Sequence, residues 1–156
     1  MKPFVRFVSI ILLSIASACA ATPTSPVQTG PVSLTAQIDR ATLAPGATAV
    51  VTFRLANASS DAVTLDFGSA CQVMPYIAKR PDNDVVYPPG SGWVCATVIT
   101  HMTLAPHSVT VTELRVRAGE TAQGIVGLRA GEYVFFARLD DRVFKLESER
   151  VSLTVQ

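Results

Sequence analysis

Cysteine, histidine and methionine are the side chains of this 156-residue sequence whose types and spacing could do chemistry. Cys71 and Cys95 form an even pair once Cys19, near the N-terminus, is set aside. In an oxidising compartment such a pair is expected to be bridged, because a zinc or catalytic site needs more ligands than two well-separated cysteines provide. The closed loop of about 25 residues would stabilise the fold by roughly 3–4 kcal/mol in the chain-entropy treatment. His101, Met102 and His107, with Met74 upstream, offer imidazole nitrogen and thioether sulfur, the donors an exported copper site would use. A cupredoxin arrangement needs its cysteine, histidine and methionine close together on one loop near the chain end, whereas Cys95, His101 and Met102 lie mid-chain. The simpler expectation is that Met102 and Leu104 pack while both histidines are exposed near a turn. Asp82-Asn83-Asp84 lacks the alternating oxygen ligands of a calcium loop and reads as a hairpin turn. No metal and no cofactor is expected.

A search for catalysis is equally spare. There is no Gly-x-Ser-x-Gly elbow and no His-Glu-x-x-His helix, and no catalytic residue is assigned. Nucleic acid is not an implied partner. The formal charge is +1, and without Lys2 and Arg6, which lie in a segment expected to be removed, 11 basic residues face 12 acidic ones. No Lys/Arg run or stacking platform of aromatics beside basic residues is present. Arg115 and Arg117 share a strand face with Glu113, which reads as a solvated face with cross-strand pairing.

The N-terminus carries an address. Residues 1–6 are basic, and Phe7 to Ile15 is an apolar run too short to span a bilayer, so residues 1–18 read as an export signal. Ala16-Ser17-Ala18-Cys19 resembles a bacterial lipobox, departing from it at Ala16 where leucine is commonest. Ala18-Cys19-Ala20 is also an ordinary A-x-A cleavage site, so both peptidases remain open. Lipidation of Cys19 is the expectation, because Cys19 ends the apolar run and residues 19–31 then form a Thr/Pro/Ser/Gly-rich tether. Two or more acyl chains there would hold the protein lastingly at a membrane surface.

The elements that must position everything else are strands. Leu128 to Leu139 joins a turn to a strand: Tyr133, Phe135, Ala137 and Leu139 share one face, and Leu-x-x-Gly-x-Tyr is the spacing of a tyrosine corner. Earlier, Leu34, Ala36 and Ile38 alternate with polar residues, then Val51, Phe53 and Leu55, then Val63, Leu65 and Phe67. Cys71 to Lys79 is interrupted by Pro75, which suits an edge or bulge, and Val85 to Tyr87 is a short strand. Trp93 to Leu104 reads as one long β-branched run. Val109 and Val111 have the opposite parity to Leu114 and Val116, so a bulge near Thr112 and Glu113 would keep all four inside. Two further short strands close the chain, at Arg142 to Leu146 and Val151 to Val155. About eight to ten short strands with no helical period predict an all-β, antiparallel immunoglobulin-like sandwich over residues 32–156.

The order of features resembles the BsuPI family. It is carried by Phe53-Arg54-Leu55-Ala56-Asn57-Ala58-Ser59, Val63 to Phe67, Cys71-Gln72 with Tyr76, Val85-Val86-Tyr87, Leu104-Ala105-Pro106 and Leu128-Arg129-Ala130-Gly131-Glu132-Tyr133. His107 stands where the family has glycine, and Leu114 where a tryptophan is often found. The resemblance implies an immunoglobulin-like domain of the intracellular proteinase inhibitor type, here exported. A protease or another envelope protein is the implied partner, and an accessory envelope role without inhibition is the alternative. Residues 81–93, proline-rich and carrying Tyr87 and Trp93, are the expected contact loop, although the simpler reading of Trp93 is a core residue near the disulfide.

Overall fold

The computed structural model describes residues 27–143 and 145–156. The expected signal, Cys19 and the linker up to residue 26 lie outside them. The described chain forms two facing sheets and a small ribbon. In the first sheet the order is β1 (Val27–Thr29), β2 (Val32–Ile38), β4 (Thr48–Asn57), β9 (Val109–Ala118) and β10 (Val126–Leu128). In the second it is β3 (Thr42–Leu43), β13 (Val151–Val155), β11 (Gly131–Asp140), β6 (Val73–Lys79) and β7 (Asp84–Tyr87), with β12 (Lys145–Glu147) also on β11. β5 (Val63–Phe67) and β8 (Thr100–Leu104) pair as the ribbon. The orders β2-β4-β9 and β13-β11-β6 match the A-B-E and G-F-C orders of an immunoglobulin-like sandwich. Most pairs are antiparallel; β3 with β13 and β10 with β9 are parallel.

Alternation decides which residues meet in the middle. Val51, Phe53 and Leu55 of β4 are fully buried while Arg54 is exposed, and Leu65 and Phe67 of β5 reach the same core. Fully burying a side chain of this kind contributes roughly 1.5–3 kcal/mol. β11 goes further than its alternation suggests, since Val134 and Phe136 on its other face are buried too. Tyr76 stacks on Phe136 at 5.2 Å, and the Arg138 and Arg150 guanidiniums lie 5.2 and 4.4 Å from the same ring. Glu147 accepts a hydrogen bond from each arginine, at 2.9 Å, and so locks this cover in place. The tyrosine corner forms as its spacing predicts: the Tyr133 hydroxyl donates to the Arg129 carbonyl at 2.9 Å, and Gly131 takes a φ of 148°.

Several expectations are corrected. Thirteen strands are described rather than eight to ten, because β1, β3 and β10 are two or three residues long and too short to show a period. The tether is not irregular to residue 31: β1 turns back onto β2 through Gly30-Pro31, and Gly30 has the positive φ, 67°, required at the first central position of a type II′ turn. The run from Trp93 to Leu104 is a strand only from Thr100. Pro75 is tolerated in β6 because β7 pairs only from Ile77 onward, leaving one side of Pro75 outside the ladder.

The bulge in β9 does not exist. Its register with β4 runs unbroken from Arg117 opposite Thr48 to Val109 opposite Ala56. Val109 and Val111 therefore face outward, 45% and 48% exposed, while Leu114 and Val116 are buried. The inward positions at this end are Thr110 and Thr112, which do not join the core but line a cleft of about 420 Å³ with Met74, Trp93, Met102 and Cys71.

Candidate protein-binding loop

Residues 88–99 contain no charged side chain and no strand, yet they are held at several points. Cys95 is disulfide-bonded to Cys71, with their Cα atoms 5.5 Å apart. This is not the bridge between facing strands of antibody domains, because Cys71 precedes β6 and Cys95 lies in the loop before β8. The Trp93 indole N–H donates to the Pro75 carbonyl at 3.1 Å, using the side of Pro75 that β7 leaves unpaired. The Tyr87 ring meets Trp93 edge-on, with centroids 5.6 Å apart and planes at 88°, a favourable aromatic geometry. Beyond the bridge, Ala70 N–H donates to the Ala96 carbonyl, and the Thr100 hydroxyl donates to the Ser69 carbonyl.

Between these anchors the chain exposes apolar side chains. Val94, between Trp93 and Cys95, is 95% exposed, and Val98 and Ile99 stand out on the far side of the disulfide. Val85 and Val86 on β7 are also exposed. Single exposed apolar residues need no explanation, but several beside an uncharged, tethered loop make it the candidate contact surface. Tyr87 and Trp93 are half-buried and brace the loop from beneath. The loop's own exposed apolar side chains are Val94, Val98 and Ile99, which sequence reasoning missed because a β-branched run reads as a strand. The one signal available was the lack of alternation from Trp93 to Ile99.

The other candidates are kept apart. His101 points away from Met102 on β8 by strand alternation, and its Nδ1 sits 2.5 Å from an Asp66 oxygen on the neighbouring strand. His107 lies in the following turn with a φ of 52°, and its N–H donates to the Ser59 carbonyl. The glycine of the resembling family at this position is what a left-handed backbone favours. No group of three His, Cys, Asp or Glu able to hold a metal occurs among the described residues. Asp82 to Asp84 form a turn in which Asn83 has a φ of 60° and bonds back to the Pro81 carbonyl. Arg115 stands 4.0 Å from Glu113, and Arg117 donates to the Gly46 carbonyl on the exposed face of β9.

Two buried polar groups hold the frame. Asn57 donates to the Asp61, Leu104 and Ala105 carbonyls and accepts from the Ser59 N–H and hydroxyl, tying the 57–61 turn to the 104–108 turn. Asp141 accepts from the backbone of Asp66 and of Val143, joining the end of β11 to the ribbon.

No protein-family model matches the chain, and no curated protein matches it. Solved structures with similar chain traces include the β-glucosidase EmGH1 from Erythrobacter marinus, with 17% identity, a TM-score of 0.44, and 80% of this chain and 15% of that one covered. Another is the sporulation control protein Spo0M from Bacillus subtilis, with 10% identity, a TM-score of 0.46, and 82% and 50% covered. A third is the CARDB domain of PF1109 from Pyrococcus furiosus, solved with two metal ions, with 12% identity, a TM-score of 0.45, and 85% and 95% covered. The chain thus spans half or less of the first two proteins. These scores are low, and the sandwich rests on the chain's own strand orders.

Proposed function

We propose that the chain is an exported cell-envelope protein, anchored through a lipid on Cys19, whose immunoglobulin-like domain binds another protein through residues 88–99. The observation that carries this reading is Val94, an almost fully exposed apolar side chain next to a disulfide-bonded cysteine in an uncharged loop. A loop tied down by a disulfide, a Trp93–Pro75 hydrogen bond and an aromatic contact has lost most of its freedom before any partner arrives. Each side chain already ordered saves about 0.5–1.5 kcal/mol of the entropy that association otherwise costs. Proteinase inhibition is the activity that the resemblance to the BsuPI family adds, and a rigid exposed loop is compatible with it. The domain has no catalytic role in this reading.

The test is to express the chain in an oxidising compartment and titrate it against serine, cysteine and metalloproteases, following residual activity and integrity of the domain. Stoichiometric loss of one protease's activity, weakened at least tenfold by Val94→Asp and Ile99→Asp, is the expected result. If no protease is inhibited, the inhibitory activity is refuted and the accessory envelope role takes its place. Growth with a labelled fatty acid tests the anchor: label on the wild type and not on Cys19→Ser is expected, and equal label on both would remove the lipid.

A further inference from the structure

β10 covers β9 only at Val116 to Ala118, so the stretch from Val109 to Arg115 pairs with β4 on one side and with no described strand on the other. The Ser108 carbonyl accepts from the Asn57 N–H of β4, and the Ala118 N–H donates to the Ala47 carbonyl. By the alternation of an antiparallel ladder, the even-numbered positions of β9 thus turn their backbone groups to β4. Val109, Val111 and Glu113 turn theirs to the open rim, where no group among the described residues bonds to them. This rim carries no proline and no bulge, Val109-Thr110-Val111-Thr112 is a β-branched run, and its two charges, Glu113 and Arg115, offset one another at 4.0 Å.

The inner face of the same stretch is open as well. Thr110 is exposed and Thr112 half-buried, although they share the parity of the buried Leu114 and Val116. In a cleft of about 420 Å³ the two threonines face Trp93 and Met102, and in a cleft of about 500 Å³ Leu114 meets Tyr87, Ile125 and Val126. Trp93 and Tyr87 touch edge-on, so the two clefts follow one another along β9.

We propose that the rim of β9 takes up an extended segment of a partner protein as an added strand, whose apolar side chains at alternate positions enter the two clefts. Backbone hydrogen bonds to Val109, Val111 and Glu113 hold such a strand, and the clefts select its side chains. Side chains on one face of a strand recur about every 7 Å, so those opposite Thr110 and Thr112 fall at the first cleft and the one opposite Leu114 at the second. A second copy of the chain is the poorer occupant. Its β9 would bring Thr110 and Thr112 to the clefts, short polar side chains against walls of Trp93, Met102, Tyr87 and Ile125. This surface does not rest on the loop of residues 88–99 as a contact, since Val94, Val98 and Ile99 line neither cleft.

The probe is a short synthetic peptide in which leucine alternates with threonine between terminal lysines, added to the full chain purified as Cys19→Ser. Amide hydrogen exchange, read residue by residue by nuclear magnetic resonance, is the assay. Exchange at Val109, Val111 and Glu113 should slow at least tenfold and saturably, while Thr110 and Thr112, already bonded to β4, do not change. Val111→Pro removes an N–H that faces the rim and not β4, so the ladder survives and binding should weaken at least tenfold. A thermal melt checks folding; if that variant does not fold, methylating alternate amide nitrogens of the peptide must abolish the protection in one phase and spare it in the other. Serine in place of the peptide's leucines should also weaken binding at least tenfold. Absence of slowing at the three rim amides overturns the proposal, as does binding that persists with the folded Val111→Pro chain, in both methylated phases or with the serine peptide. Protection confined to residues 94–99 assigns the peptide to the loop, and protection that rises with protein concentration without peptide assigns the rim to a second copy; either result overturns it too.

Discussion

Removing the bridge between Cys71 and Cys95, as Cys71→Ala with Cys95→Ala, tests how the frame around the loop is stabilised. The two cysteines are 24 residues apart and close a loop of about 25 residues that contains β6 and β7. Loop-closure entropy for that length is about 12 cal/mol/K, or about 3.5 kcal/mol at 25 °C. Both cysteines are half-buried, so the cavity left by two sulfurs adds little. For about 130 ordered residues each kcal/mol moves the melting midpoint by roughly 3–4 °C, which gives a fall of about 10–14 °C. Urea unfolding of wild type and double variant, followed by circular dichroism, measures the free energy. The slope against urea should rise as well, because the uncrosslinked unfolded chain exposes more surface. A loss below about 1 kcal/mol with an unchanged slope would refute the entropic reasoning. It would mean that β6 and β7 stay ordered in the unfolded state without the bridge.

Three further predictions concern the frame. Asn57→Ala leaves the buried Leu104 carbonyl and its neighbours without their donor and should cost about 2–3 kcal/mol in urea unfolding. Tyr133→Phe removes the corner hydrogen bond to Arg129 and should cost about 1 kcal/mol by the same assay. Partial burial pushes the Glu147 carboxyl up, but hydrogen bonds from Arg138 and Arg150 outweigh it, and the net shift is downward from 4.5. A depressed folded-state pKa gives stability that is present above the unfolded value and lost as pH falls through the folded one. Glu147→Gln should therefore melt earlier than wild type at pH 7, with the gap closing in acid below 4.5; a gap independent of pH would remove the ion pairs as its cause.

What the sequence revealed depended on how local the determinant was. The corner at Tyr133 was legible because donor and acceptor are four residues apart and Gly131 marks the turn. β4 and β5 were legible because their buried residues all meet one continuous core. β9 misled for the complementary reason: parity locates the inside of a sandwich, but at Thr110 and Thr112 the inside is a cleft and not core. The bracing of the loop was hidden because Trp93 finds its acceptor on Pro75, 18 residues back, in a gap that exists only because β7 is short. The disulfide was legible by counting. That it leaves Val94 standing in solvent could not be counted.

The outermost strands of the two sheets are β1 and β10 in one and β3 and β7 in the other, between two and four residues each, beside inner strands of up to ten. A sheet recruits another chain through the row of unpaired backbone groups along its rim, and a rim of two to four residues provides only a few of them. Those four strands are thus poor templates for another copy, and the longer open rim is on β9, where β10 pairs only with Val116 to Ala118 and leaves Val109 to Arg115 with β4 alone. The apolar loop follows directly on one of the short ones, β7, whose four residues offer few backbone partners to turn a sticky contact there into a fibre.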